Sequence, residues 1–267
     1  MNINLKTIIK KSNSLNDVCA NLNINTINQY NNVKKTKNEL INEIKQIAGT
    51  KIQLSNYILL DNIYLHNATR LKTNKANINI LDNFLSYNEC NELINYILKN
   101  NEQSKVIDKT SINSNRTSKT SYLSNNIKIA NLINNKICNY MGINNNNSEI
   151  MQGQYYNINC EYKPHYDTED HNDESKWNLF NDNNLGQRTW TFMIYLNDVE
   201  EGGETIFPNL DIKIKPKKGM AVIWNNLDSH GNRNMHTLHG GCKVIKGQKF
   251  IITKWFRTNN LVEYPNI

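Results

Sequence analysis

The chain has 267 residues, of which 38% are hydrophobic, and it carries a formal net charge of +7. This length can bury the core of one large domain and leave room for an extension. No run approaches the ~20 apolar residues of a membrane-spanning helix, the first residues lack an apolar stretch of signal-peptide length, and the five cysteines include no Cys-x-x-Cys pair, which argues against a zinc ribbon. We therefore expect a soluble protein with no membrane partner, and the sequence does not indicate its compartment.

The basic charge lies in the N-terminal part of the chain. Residues 1–80 contain 11 Lys plus Arg and 4 Asp plus Glu, or +7, which leaves 20 against 20 for residues 81–267. Helical spacing of apolar residues predicts a helix over 36–47. A basic extension can attract nucleic acid, but no basic stripe interleaved with aromatic residues accompanies it, so nucleic acid is not expected as a partner. We expect residues 1–78 to be a mostly helical extension of unknown role.

Two further helices precede a series of strands. Ser86 and Glu89 form a capping-box sequence that opens a helix ending at about Leu98, and another helix is predicted over 127–140. The asparagine run at 144–147 is interpreted as a loop. Short alternating or apolar runs, separated by Gly, Asn, Asp or Pro clusters, follow at 151–159, 189–196, 212–215, 220–224 and 249–256. This pattern indicates an antiparallel sandwich or jelly roll, and with its helices it makes an α+β domain.

A candidate metal motif lies in His165-Tyr166-Asp167. Alternate side chains of a β-strand share a face, so one strand could present both His165 and Asp167, and Pro164 suits a strand start or edge. Two imidazoles and one carboxylate hold Fe(II) on one face and leave positions open for a co-substrate and oxygen. His239 is the candidate second imidazole, and Lys249 follows it by ten residues. Because a His-x-Asp pair alone is a weak signal, the surrounding pattern decides.

That pattern covers residues from about 80 to 257 in six ordered blocks. The blocks are ILDNFLSYNECNELI (80–94), RTSKTSYL (116–123), QYYNINCEYKPHYD (154–167), GQRTWTFMIYLNDVEEGGETIFP (186–208), IKPKKGMAVIW (214–224) and LHGGCKVIKGQKFIITKWF (238–256). In this order and spacing they resemble the catalytic domain of collagen-type prolyl 4-hydroxylases. The resemblance implies a double-stranded β-helix (jelly roll) with supporting N-terminal helices over residues 79–267. It also implies a dioxygenase that uses Fe(II), 2-oxoglutarate and ascorbate.

The resemblance places the iron on His165, Asp167 and His239. It places the distal carboxylate of 2-oxoglutarate on Lys249, with further contacts from Tyr156 and Thr191. An ammonium at the end of a buried pocket suits a carboxylate. Rival assignments are His236 and His230 for the distal imidazole and Arg257 for the carboxylate anchor. We interpret each of the two histidines as a loop residue or as a residue that contacts a metal ligand without binding the metal, and Arg257 as a surface residue.

The resemblance implies a proline-containing protein or peptide as the substrate, with collagen-like chains among the candidates. Candidate substrate contacts are Arg188, Trp255 and Arg116, with Arg116 in a loop, RTSKTSYL, that resembles a substrate-covering loop. Arg188 could instead pair with acidic residues of the segment 167–182. Two alternatives stay open: an oxygenase of the same fold that acts on lysine, another protein side chain or nucleic acid, and a non-catalytic binding module. A complete triad disfavours the binding module.

Overall fold

The computed structural model describes residues 63, 65–104, 116–168, 186–228 and 233–257. The chain divides into two compact units, Met1–Tyr64 and Leu65–Ile267, and the described residues from 65 onward belong to the second. The predicted helix over 36–47 and the rival ligand His230 lie outside the described residues. No helix within the described ranges is long and apolar enough to cross a membrane.

Helix α1 spans Tyr87–Asn100 and begins with the predicted capping box. The Ser86 hydroxyl accepts a hydrogen bond from the Glu89 backbone N–H at 3.3 Å, and the Glu89 carboxylate accepts one from the Ser86 backbone N–H at 2.7 Å. These two contacts satisfy N–H groups that have no partner within a helix. The predicted helix is confirmed. Its buried residues are Cys90, Leu93 and Ile97.

Helix α2 spans Lys128–Met141, so the helix predicted over 127–140 is confirmed. It ends at Gly142, whose φ of 64° is a left-handed conformation that glycine adopts without a steric penalty. The asparagine run that follows was predicted to be a loop, and this prediction is wrong in part, because Asn145–Asn147 form a 3₁₀ turn. The reason is local, because the Asn144 side chain accepts a hydrogen bond from a backbone N–H of the turn and caps it.

Fourteen strands in the described residues pair into three antiparallel sheets. The strands are β1 Thr69–Arg70, β2 Ile78–Leu81, β3 Glu102–Gln103, β4 Lys119–Leu123, β5 Met151–Tyr156, β6 Tyr162–His165, β7 Arg188–Tyr195, β8 Glu201–Gly202, β9 Thr205–Phe207, β10 Ile212–Ile214, β11 Ala221–Asn225, β12 His239–Gly241, β13 Val244–Lys246 and β14 Lys249–Arg257. Eight strands form one sheet in the order β1-β2-β11-β7-β14-β5-β4-β3, four form a second in the order β10-β9-β12-β6, and β13 pairs with β8. The large and the small sheet are the two layers of a double-stranded β-helix, which confirms the predicted α+β jelly roll.

The two faces of the large sheet have different partners. Along its central strands, Met193, Tyr195 and Ile251 belong to the core cluster shared with residues of the small sheet. On the opposite face, the Phe192 ring lies 5.0 Å from the Phe84 ring, ahead of α1, and 6.1 Å from a tyrosine ring of α2. Because side chains alternate along a strand, odd-numbered residues over 191–195 of β7 and 249–255 of β14 point into the jelly roll, and the even-numbered residues between them point toward the helices.

Candidate active site

The two histidines of the predicted triad lie opposite each other on neighbouring strands. His165 ends β6, His239 begins β12, and the two are direct partners in the antiparallel pairing. Their ring centroids are 4.4 Å apart. The predicted strand does carry His165, but it does not reach Asp167. Strand β6 ends at His165, and Asp167 lies in the bend that follows.

The Asp167 carboxylate completes a cluster of three possible ligands. Its Oδ1 lies 3.8 Å from His165 Nε2, and its Oδ2 lies 3.5 Å from His239 Nε2. One donor atom from each of the three residues lies within 4.8 Å of the others. The rival His236 lies outside this cluster, in a 3₁₀ turn over Met235–Thr237. The geometry therefore brings together the three residues that the sequence predicts.

Both imidazoles are oriented by backbone carbonyls. His165 Nδ1 is 2.9 Å from the Lys163 carbonyl oxygen, and His239 Nδ1 is 2.9 Å from the Thr237 carbonyl oxygen. A carbonyl can only accept a hydrogen bond, so each Nδ1 carries a proton, and in the neutral imidazole the lone pair of Nε2 faces Asp167. This arrangement is the one found in metal-binding histidines, where a hydrogen bond at the other nitrogen fixes the tautomer.

The ionisation of the cluster also suits a divalent cation. Burial, together with the neighbouring His239, lowers the pKa of His165 and favours its neutral form. Burial acts to raise the pKa of Asp167, but His239, His165 and Arg188 outweigh it and hold that pKa below its usual value. Two imidazoles and one ionised carboxylate are thus presented together, and this donor set fits Fe(II).

Aromatic rings enclose the two histidines. The Tyr162 ring stacks on His165 at 3.6 Å between centroids, and the Trp224 ring lies 4.7 Å from His239. Arg116, a predicted substrate contact, lies with its guanidinium 5.0 Å from the centre of the Tyr162 ring. Its Nε and Nη2 donate to the hydroxyls of two neighbouring residues. The predicted loop RTSKTSYL is for the most part a strand, because its residues 119–123 pair with β5.

Lys249 and Tyr156 meet at the other end of the site. They are direct partners between β14 and β5, and the Lys249 ammonium lies 5.2 Å from the centre of the Tyr156 ring. Lys249 is 2% exposed, and no carboxylate within the described residues forms an ion pair with its ammonium. Burial lowers the pKa of Lys249 to about 8. A buried ammonium without a counter-ion is costly unless a ligand supplies one, which fits the distal carboxylate of 2-oxoglutarate.

Two residues of this end were missed by sequence reasoning. The Tyr195 ring centre lies 5.5 Å from the Lys249 ammonium, and the Tyr195 hydroxyl donates to Thr205 Oγ1 at 2.6 Å. Tyr195 could have been found, because it shares a strand face with Thr191. Thr205 could not, because it reaches the site through the pairing of β9 with Gly241.

Thr191 contacts the triad in this structure. Its hydroxyl donates to Asp167 Oδ2 at 2.6 Å and accepts a hydrogen bond from Asn226 Nδ2 at 2.8 Å. Thr191 is fully buried. The predicted contact with 2-oxoglutarate is a separate matter from these hydrogen bonds and stays a prediction. Asn226 was not singled out from the sequence, because it follows β11 in a segment with no motif.

Arg188 and Trp255 form one wall of the site. The Arg188 guanidinium lies 4.1 Å from the centre of the Trp255 ring, and its Nη2 donates to Glu149 at 2.7 Å. Glu149 also accepts from Arg257 Nε at 2.7 Å. The interpretation of Arg257 as a surface residue is wrong, because Arg257 is 3% exposed and ends β14 inside the sheet. The Arg257 guanidinium forms an ion pair with Glu149, so it is not available to anchor the carboxylate of a co-substrate.

Comparison with known proteins places this architecture in a family. A family model described as the 2OG-Fe(II) oxygenase superfamily matches residues 151–257. Two proteins of Arabidopsis thaliana, named probable prolyl 4-hydroxylase 10 and probable prolyl 4-hydroxylase 8, are 33% and 35% identical to the chain in alignments of 204 positions. Each alignment covers 67% of this chain and 68% of the relative.

A solved structure agrees with the sequence relatives. The viral collagen prolyl hydroxylase of Paramecium Bursaria Chlorella virus-1, crystallised as a complex with 2OG, is 31% identical and superposes with a TM-score of 0.53 over 67% of this chain and 94% of that one. Identity at this level across two thirds of each chain, with the jelly roll and the clustered His, Asp and His, confirms the resemblance inferred from the six sequence blocks. The chain belongs to the prolyl 4-hydroxylase family of 2OG-Fe(II) oxygenases.

Proposed function

We propose that this protein hydroxylates peptidyl proline at C4, with Fe(II) held by His165, Asp167 and His239 and with 2-oxoglutarate anchored by Lys249. The observation that carries the proposal is the pairing of two features in one jelly roll. The first is a cluster of two imidazoles and a carboxylate whose donor atoms lie within 4.8 Å of one another. The second is the buried ammonium of Lys249, which lacks a carboxylate partner in the described part of the chain.

The residues of the chain have separable tasks at the metal. His165 and His239 would each offer Nε2, since their Nδ1 atoms are engaged by backbone carbonyls. Asp167 would offer a carboxylate oxygen and balance part of the metal charge. Bound Fe(II) and 2-oxoglutarate supply the oxidation of a C–H bond by O₂, with release of succinate and CO₂. Tyr162 and Trp224 cover the imidazoles and limit the access of water.

The co-substrate end is shaped for a carboxylate. The Lys249 ammonium can form a charge-assisted hydrogen bond with it. Burial raises the pKa of Tyr156, so its hydroxyl stays protonated and can donate. The space beside the lysine is kept open by two glycines: a Cβ on Gly241 would lie 3.4 Å from Lys249 Nζ, and one on Gly203 would lie 3.3 Å from Lys249 Cδ.

The substrate side would be formed by Arg188, Trp255 and Arg116. Glu149 and the Trp255 ring hold the Arg188 guanidinium in one orientation, and a rigid cationic and aromatic wall suits the carbonyls and rings of a proline-containing peptide. The viral relative is described as a collagen prolyl hydroxylase, which supports a collagen-like substrate here. Ascorbate is the expected reductant. The relatives do not favour an oxygenase acting on lysine or nucleic acid.

Alanine variants of the triad test this proposal. His165→Ala, Asp167→Ala and His239→Ala should each abolish the release of succinate from 2-oxoglutarate, because two ligands cannot complete the facial set. His236→Ala serves as the matched control, since His236 lies near His239 in sequence but outside the cluster, and it should keep most of the activity. Loss of activity in His236→Ala together with full activity in His239→Ala would reverse the ligand assignment.

A further inference from the structure

The hydrogen bonds around Thr191 point to a role that differs from co-substrate binding. We propose that Thr191 and Asn226 are positioning residues that fix the Asp167 carboxylate in the orientation needed to bind the metal. The proposal rests on the proposed iron site. It concerns residues behind the ligand and not the ligand itself.

The direction of each hydrogen bond follows from the chemistry of the groups. An ionised carboxylate only accepts hydrogen bonds, so at 2.6 Å the single proton of the Thr191 hydroxyl is committed to Asp167 Oδ2. The hydroxyl can then only accept from Asn226, which fixes the amide with Nδ2 toward Thr191 at 2.8 Å. Asp167, Thr191 and Asn226 are all buried, at 9%, 0% and 1% exposure, so water competes little with this chain of bonds.

The backbone holds Asn226 between two parts of the fold. Its N–H donates to the Thr189 carbonyl of β7 at 2.7 Å, and its carbonyl accepts from the Asn234 N–H at 2.9 Å. The side-chain Oδ1 of Asn226 is buried and has no hydrogen-bond partner within the described residues. An unpaired buried carbonyl is unfavourable. The amide nevertheless keeps this orientation, which indicates that the hydrogen bond from Nδ2 to Thr191 determines how the Asn226 side chain is placed.

The consequence for Asp167 is a restricted carboxylate. Asp167 lies in a bend past the end of β6, so the hydrogen bonds between strands do not fix the backbone that carries its side chain. Its Oδ2 is bound to Thr191 and lies 3.5 Å from His239 Nε2. Groups that orient a ligand in this way typically change metal affinity by roughly 10- to 100-fold when removed. Thr191 would therefore act on metal affinity through Asp167.

The experiment compares three single variants of β7. Thr191→Val removes the hydroxyl but keeps the shape, and Thr191→Ser keeps the hydroxyl. Thr189→Val is the matched control, because Thr189 is also fully buried and its hydroxyl donates to the Phe256 carbonyl, away from the triad. For each full-length protein, Fe(II) affinity is measured by anaerobic calorimetry without 2-oxoglutarate. The KM for 2-oxoglutarate and the melting temperature are measured in parallel.

We expect Thr191→Val to weaken Fe(II) binding in the absence of 2-oxoglutarate by roughly 10- to 100-fold. Thr191→Ser should restore the affinity, and Thr189→Val should lower only the melting temperature. An unchanged Fe(II) affinity in Thr191→Val would overturn the proposal. So would a raised KM for 2-oxoglutarate with normal iron binding, which would make Thr191 a co-substrate contact.

Asn226 supplies an independent variant in case Thr191→Val does not fold. Asn226→Ala should weaken Fe(II) binding less than Thr191→Val, and adding it to Thr191→Val should change the affinity no further, because residues that act through one contact are not additive. Additive losses, or normal affinity in Asn226→Ala, would contradict its assigned role. Failure of the proposed function looks different: wild-type protein would then bind no Fe(II), or Asp167→Ala would bind it as well as wild type.

Discussion

Each histidine of the triad is oriented by the carbonyl of the residue two positions before it. His165 bonds to Lys163 and His239 to Thr237, both at 2.9 Å. The residue types and the His-x-Asp spacing could be predicted from the sequence, because they belong to a motif. The tautomers could not, because they depend on the backbone conformation that brings each carbonyl to an Nδ1 atom. The hydrogen bond from Thr191 to Asp167 could not either, since it joins residues that are 24 positions apart in the chain.

Two buried lysines on β14 allow a controlled test of the co-substrate anchor. Lys249→Met should raise the KM for 2-oxoglutarate strongly and leave Fe(II) binding intact, because losing one partner of a buried charged pair costs ~2–5 kcal/mol. Lys254→Met is the control: burial lowers its pKa to about 8 as well, but its ammonium donates to the Glu149 carbonyl on the helix-facing side at 3.1 Å. Steady-state kinetics with varied 2-oxoglutarate separates the two variants.

The pH dependence of the same measurement follows from the lowered pKa of Lys249. In the free enzyme its amine loses its proton as pH rises through about 8, and only the ammonium form pairs with a carboxylate. The KM for 2-oxoglutarate should therefore rise above this pH, and Lys249→Arg should remove the rise because a guanidinium stays charged.

For the two methionine variants, a raised KM in Lys254→Met with normal kinetics in Lys249→Met would show that the anchor is misassigned.

Among the secondary-structure elements, those with a strong local signal were predicted well. The start of helix α1 is marked by the capping box at Ser86 and Glu89, and the end of α2 is marked by Gly142. Each of these two boundaries follows from residues within one helical turn of it. The long central strands β7 and β14 were predicted within one residue at each end. These elements carry enough apolar periodicity to be recognised without tertiary information.

A strand carrying His165 was predicted from the His-x-Asp motif, but neither β6 nor β12 is among the apolar or alternating runs that predict the other strands. Strand β6, Tyr162–His165, has no buried residue in its four positions, and β12, His239–Gly241, contains two glycines. Short strands of this composition are stabilised by their neighbours and not by their own propensity. Pro164 was predicted at a strand edge, and β6 is indeed an edge strand of the small sheet. The position of the site was thus predictable from its motif, while the bounds of the strands that build it were not.

For the whole molecule, the N-terminal limit of the catalytic domain is an open prediction. The sequence places it between residues 78 and 79, where the basic extension ends. Some contacts of the large sheet come from earlier residues: β1 pairs with β2, the Leu71 N–H donates to the Ile78 carbonyl at 2.9 Å, and Asn234 Nδ2 donates to the Lys75 carbonyl at 3.0 Å. Ile78 itself is fully buried.

Two truncated chains distinguish the possible limits. A chain beginning at residue 65 should melt cooperatively and bind Fe(II), because it keeps β1, β2 and the buried Ile78. A chain beginning at residue 79 should melt at a lower temperature or fail to fold, since it loses β1 and exposes the core beneath β2. Circular dichroism melting with Fe(II) titration makes the comparison. Equal stability of the two chains would support the limit at residues 78 and 79 drawn from sequence.

The central claim is that this jelly roll uses His165, Asp167 and His239 to hydroxylate peptidyl proline. Its most direct test is mass spectrometry of proline-rich and collagen-like peptides after incubation with the full-length protein, Fe(II), 2-oxoglutarate and ascorbate, with amino-acid analysis of the product. We predict the gain of one oxygen atom on a prolyl residue, recovered as 4-hydroxyproline, with one succinate formed per hydroxylation and no product from Asp167→Ala. Hydroxylation found on lysine instead of proline, or 4-hydroxyproline formed equally by Asp167→Ala, would contradict the account.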